Sequence, residues 1–254
     1  MDPIEMRGPL SDYWIWKHRD YCGNCIAIVD TSRGDGADFS TVTVIDLADM
    51  ELVAEYKGLL EPIDLAKKAV EIALEYNSAL LVIENTGVGF STCSHAKQLG
   101  YVNIYYTPKD DTEETMMNID IIDEEKMTIG FTTSTKTRDK VLSALREARL
   151  DGSLKVRSRR AHSEFKTFIW KRGKPQAQSG RNDDLLMSLA IGCYLRNTAI
   201  RFKTQGLEMQ RAVLGGITKT NYNTIYRPQQ SFNNPYLWTN PYDQSIEDIS
   251  YLCK

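Results

Sequence analysis

At 254 residues the chain has room for one large domain or two small ones, and its 42% hydrophobic and 26% charged content is ordinary for a folded protein. The net charge of −3 argues neither for nor against a polynucleotide partner, because a local basic stripe vanishes in the sum. No apolar run reaches the ~18 residues of a membrane-spanning helix and no signal peptide opens the chain, so no membrane role is expected. The five cysteines are an odd number and scattered, which suggests reduced thiols. Cys22-x-x-Cys25 has no second CxxC or paired histidines beside it and is a weak zinc or redox signal.

Residues 1–21 are polar and aromatic and read as a lead-in or linker. A buried strand follows from Ile26 to Val29 and ends on Asp30. The turn after it carries Gly34 and Gly36, where left-handed backbone is expected. Residues 40–45 alternate hydroxyl and aliphatic side chains, the period of a half-buried strand, and 50–58 read as a third strand of a meander. Glu61-Pro62 opens a helix whose apolar positions Leu65, Ala69, Ile72, Ala73 and Tyr76 share one face. Residues 79–83 form another apolar strand, ending at Glu84. If the two acid-ended strands are parallel neighbours, Asp30 and Glu84 meet at one sheet edge.

Further on, a helix is expected over 91–99 with Gly100 as its C-cap, and a short strand over 102–106. Residues 109–126 are acidic and read as a surface excursion, and 139–150 form an amphipathic helix. The stretch 154–174 is rich in lysine and arginine, with Phe165, Phe168 and Trp170 interleaved. That composition suits polynucleotide backbone contacts and equally suits a solvated face over ordinary core aromatics. Residues 175–180 read as a loop, after which Asn182 or Asp183 is a natural N-cap for a strongly apolar helix. From about residue 201 the periodicity is weak and aromatics, Gly, Pro and Asn are frequent, as in a loop-rich or partner-ordered tail.

Four acids stand at the boundaries of apolar elements: Asp30, Glu84, Asp183 and Asp184. Each has a plainer use, as a turn cap, an arginine partner or an N-cap. Together, in the order strand, strand, helix, they match what two-metal phosphodiester cleavage needs: three or four carboxylates around two Mg²⁺ or Mn²⁺ ions ~3.5–4 Å apart. Oxygen donors favour hard cations, and three histidines leave little for a zinc alternative.

The motifs IVDTSRGDGADFST, LVIENTGVG, GFTTSTKTR and RNDDLLMSLAIG, in that order, resemble the C-terminal nuclease domain of the large terminase subunit of tailed bacteriophages, over about residues 25–194. The resemblance implies an α/β fold of ribonuclease H-like (RuvC/integrase) type, a mixed central sheet flanked by helices, spanning residues 22–200. It also implies a metal-dependent endonuclease that cuts concatemeric double-stranded DNA when packaging starts and ends. Carried over, Asp30 and Glu84 are the first and second metal ligands and the Asp183-Asp184 pair supplies the third, with the direct ligand of the pair left open. A further helix acid common in the family is replaced here by Met187. Asp35 and Asp38 are weaker candidates beside the metals. Lys136 and Arg138 match a stretch expected near DNA, and Lys155, Arg157, Arg159, Arg160, Lys171 and Arg172 join them as candidate DNA contacts.

The family also carries a packaging ATPase, whose phosphate loop G-x-x-x-x-G-K-[ST] is absent from these residues, so this reads as the isolated nuclease domain or a truncated piece. The implied partners are that N-terminal ATPase domain, the portal protein and the small terminase subunit. The implied setting is the host cytoplasm, transiently at the procapsid portal. Rival readings are an actin-like ATP-binding domain, which lacks its second phosphate hairpin here, a Holliday-junction resolvase-like nuclease, and a non-catalytic module whose tail (201–254) docks on the portal.

Overall fold

The computed structural model describes residues 1–33, 38–109, 126–171 and 174–196, with two short strands at 237–239 and 246–248. The chain divides into two compact units, Met1–Lys203 and Thr204–Lys254. The described part of the second is a hairpin in which Leu237–Thr239 pairs antiparallel with Ile246–Asp248.

The first unit is built on a six-stranded mixed sheet. In chain order its strands are β1 (Glu5–Arg7), β2 (Tyr13–Ile15), β3 (Cys25–Asp30), β4 (Ser40–Asp46), β5 (Glu51–Gly58) and β6 (Leu80–Ile83). Their spatial order is β1-β2-β5-β4-β3-β6. The meander β3-β4-β5 is antiparallel, whereas β6 returns parallel to β3, with Val29 opposite Ile83. The crossover is α1 (Pro62–Glu75), which Pro62 starts and the left-handed pair Asn77 and Ser78 follows. Past β6 the sheet continues as single bridges from Leu81 to Ile104 and from Glu84 to Phe131.

Both faces of the central strands are covered, which is why β3 is apolar throughout rather than alternating. Ala27, Val29, Leu81 and Ile83 face a layer that includes Leu65, Ala69 and Ile72 of α1 and Cys93 and Ala96 of α2 (Gly89–Gln98). Ile26, Ile28 and Val82 face the opposite layer, with Val141 and Leu145 of α3 (Thr135–Leu150) and Leu185 and Leu189 of α5, residues 184–196. The result is a three-layer α/β/α sandwich. Helix α5 lies unusually close to the sheet, since a Cβ on Gly192 would collide with the Ile45 and Ile28 side chains. Between these elements α4 (Arg159–Thr167) runs into a hairpin of β9 (Phe168–Lys171) and β10 (Lys174–Ala177). The antiparallel pair β7 (Tyr106–Pro108) and β8 (Met127–Ile129) precedes α3. None of the described helices is long and apolar enough to cross a membrane.

Several sequence expectations change, among them the strand expected over 102–106, which is β7 at Tyr106–Pro108, and the half-buried strand at 40–45, which is buried on both faces. Residues 1–21 are not a linker: β2 pairs with β5 and buries Tyr13 and Ile15, so they extend the central sheet. Helix α3 starts a turn before Asp139 because Ser134 and Thr137 form a reciprocal capping box. The expected loop at 175–180 begins instead as strand, with Pro175 opposite Trp170. The excursion at 110–125 lies outside the described residues, as does most of the tail.

Candidate functional site

Asp30 closes β3, and Glu84 directly follows β6. Because the two strands are parallel and in register, with the Glu84 N–H donating to the Val29 carbonyl at 2.9 Å, both acids emerge at the same sheet end. Helix α5 is tied to that end. Thr41, the register partner of Asp30, shares a buried hydroxyl contact of 3.2 Å with Ser188, one helical turn beyond Asp184. The first turn of α5 therefore arrives where the two strands end. Asp30 thus stands among the charges of Glu84, Asp184 and Asp183, three acids from distant parts of the sequence.

Asp30 is half-buried by surface area, yet protein atoms crowd its carboxyl. Desolvation first, and then the charges of Glu84, Asp184 and Asp183, hold it well above the ordinary carboxylate range, against a hydrogen bond from the Thr31 backbone. Burial likewise raises Asp184, opposed by the Asn182 amide at 3.1 Å and by Lys57, and abetted by Asp183 and Asp38. An open cleft of about 710 Å³ is lined by Asp30, Asp38 and Asp184 together with Arg33, Thr86 and Gly87. Close packing shapes one wall: a Cβ on Gly89, at the start of α2, would strike the Glu84 carbonyl and Thr31.

The donors around the cleft are carboxylate and hydroxyl oxygens and no histidine lines it, which fits a hard divalent cation. Among the described residues no three His, Cys, Asp or Glu side chains are drawn close enough to hold an ion as they stand. The two acids of α5 part ways. Asp184 lines the cleft, whereas Asp183, at the N-cap position, bonds Arg138 at 2.7 Å.

The candidate DNA contacts divide as well. Arg138 is at the site, through Asp183, and Lys136 is exposed on the first turn of α3. Much of the basic region is engaged within the chain. Arg160 bonds the fully buried Glu55 at 2.6 Å and stacks 3.8 Å over Trp14. Arg157 pairs with Glu51 at 2.5 Å and Arg159 with Asp2 at 2.7 Å. Lys155 has an exposed side chain while its backbone bridges to Glu51 beside β5. Asp38 stands exposed at the cleft; Asp35, Arg172 and the side chain of Lys171 lie outside the described residues.

Two residues escaped sequence reasoning. Lys57 reaches Glu164 at 2.6 Å and Asp184 at 3.8 Å, and Glu164 accepts the Leu186 N–H at 3.0 Å. The meander register held a signal for the first: Asp30 faces Thr41, and Thr41 faces Lys57, in line across three strands.

A strand order of β5-β4-β3-β6, three antiparallel and the fourth parallel, with helices on both faces, is the ribonuclease H-like fold, in its mixed-sheet form. Within it the chain shares the fold of phage large terminase nuclease domains. It is similar to the cobalt-bound large terminase nuclease of thermophilic phage G20c, with a TM-score of 0.56 and 17% identity over 76% of this chain and 90% of that one. The magnesium-bound form of the same nuclease aligns with the same figures, a TM-score of 0.56 at 17% identity. The large terminase nuclease domain of Thermus phage P74-26 aligns with a TM-score of 0.51 and 16% identity over 75% of this chain and 87% of that one. No protein-family model matches the sequence.

Proposed function

We propose that this chain is a divalent-metal-dependent DNA endonuclease of a viral packaging motor, cutting concatemeric double-stranded DNA at the start and end of packaging. The carrying observation is that Asp30 and Glu84 leave two parallel, in-register strands at one sheet end, and that Asp184, from a helix start, lines the same cleft as Asp30. A fold alone does not specify activity, so the acids carry the argument. The likeness to a nuclease that holds cobalt in one structure and magnesium in another supports it.

In this reading Asp30 and Glu84 offer ligand oxygens from rigid strand ends, and Asp184 supplies the third from α5. Arg138 draws Asp183 aside, which favours Asp184 as the direct ligand. Two Mg²⁺ or Mn²⁺ ions bound there would supply Lewis-acid stabilisation of the attacked phosphodiester and its leaving oxygen. Asp38, at the cleft, is an outer acid. Arg33, which lines the cleft, and Lys136, on the first turn of α3 near Arg138, both exposed, give the backbone of a duplex cationic partners at the acid end of the sheet, whereas Lys155 stands by Glu51 at the other end. The partners of this activity are a packaging ATPase domain on the N-terminal side, the portal and the small terminase subunit, in the host cytoplasm.

The test is digestion of supercoiled plasmid with Mg²⁺, Mn²⁺ or EDTA, beside Asp30→Asn. We expect metal-dependent nicking and linearisation in the wild type, reduced by at least ~10²-fold in the variant, with unchanged circular dichroism. Cleavage by folded Asp30→Asn at the wild-type rate would sink the proposal.

A further inference from the structure

The pairing of Lys57 with Glu164 stands beside the acids without serving as a ligand. Both side chains are mostly buried, at 14% and 8% exposure. Lys57 Nζ lies 2.6 Å from Glu164 Oε1 and 3.8 Å from Asp184 Oδ2. Glu164 Oε2 accepts the N–H of Leu186, in the first turn of α5, where a helix leaves its donors unpaired. One carboxylate, reaching from α4, thus closes the open end of α5 and anchors the ammonium that faces Asp184. A secluded ion pair loses hydration on both partners, so stability alone is a weak reason for it. Its place against Asp184 gives a better one.

We propose that Lys57, anchored by Glu164, is a positioning residue that orients and partly neutralises the Asp184 carboxylate, and so sets how firmly the acidic site takes a divalent cation. The inference rests on the metal-site reading of the acids. Glu164 shares the ammonium with Asp184. Removing the Glu164 charge leaves Lys57 wholly to Asp184, whereas removing both charges frees Asp184 and leaves the net charge of the chain unchanged.

Calorimetric titration of the full chain with Mn²⁺ tests this. Glu164→Gln keeps an amide oxygen for the Leu186 N–H but turns its NH₂ toward Lys57, so it should melt below the wild type while staying folded, and bind Mn²⁺ about tenfold more weakly. Lys57→Met alone leaves Glu164 buried and unpaired and invites unfolding, so the double variant Lys57→Met/Glu164→Gln carries the second arm. It should bind Mn²⁺ about threefold more tightly than the wild type. Affinities within about twofold of the wild type in both variants, with only melting temperatures lowered, would make the pair a structural strut and overturn the proposal while leaving the metal-site reading intact. No Mn²⁺ binding by the wild-type chain overturns that reading, and this proposal with it.

Discussion

Arg160 shows how a residue's partners decide what its charge is for. Its guanidinium bonds a glutamate with no solvent exposure, touches the Asp12 carbonyl and covers Trp14. Burial nevertheless outweighs that help and raises the Glu55 carboxyl above its ordinary value of 4.5. A raised carboxylate subtracts stability as pH climbs through the window above that value, because the folded chain holds a proton the unfolded one releases. Arg160→Met takes away the main opposing charge and pushes Glu55 higher still. We expect it to cost about 3–5 kcal/mol at pH 7 in urea unfolding, with the deficit shrinking as pH falls toward 5. A variant with unchanged stability and weakened DNA binding would instead return Arg160 to the DNA surface. Arg157 likewise pairs with a buried carboxylate, Glu51.

Among the elements, the N-terminus of α2 has least room. Gly89 lets the helix rest directly on the Glu84 carbonyl and Thr31, so close contact joins the hydrogen bonds of Glu84 and Asn85 in holding the backbone that presents the second acid. Gly89→Ala puts a methyl into backbone that cannot swing aside. We expect a loss of about 1–3 kcal/mol, read as a lower melting temperature, together with weaker Mn²⁺ binding as Glu84 shifts. Wild-type melting and Mn²⁺ affinity would show that the α2 wall does not position Glu84. Helix α5 is held in a complementary way, by the Thr41–Ser188 hydroxyl contact and the approach at Gly192.

At the scale of the whole molecule, the four acids, their basic partners and both helical layers fall within Met1–Lys203. A chain ending at Lys203 should therefore fold cooperatively and cleave plasmid within about threefold of the full-length rate, since the two units are separately compact. Thermal melting and the plasmid assay check both halves of that statement. Loss of cleavage with a native melt would mean that Thr204–Lys254 takes part in the reaction. The internal pairing of Arg157, Arg159 and Arg160 also bears on DNA affinity: cations already matched by carboxylates release few counterions, so the salt dependence of binding should rest less on these three and more on Arg33, which lines the cleft.

The sequence by itself determined the order of strands and helices in the core and put an acid at the end of β3, after β6 and at the start of α5. These are local facts: an apolar run of strand length, its abrupt end on a carboxylate, and helical spacing after an N-cap. The parallel return of β6 beside β3, conditional in the sequence, is settled by the α1 crossover from β5, which carries β6 past β4 to the far side of β3. What only the tertiary structure decided lies in contacts between distant residues. Arg138 meets Asp183 across 45 positions, Arg160 meets Glu55 across 105, and Lys57 meets Glu164 across 107. No local period announces such pairs, so the basic region read equally as DNA surface or structural face until its partners were in view. The first strands were missed for the same reason: three-residue segments are too short for a pattern, and only pairing with β5 makes them part of the sheet.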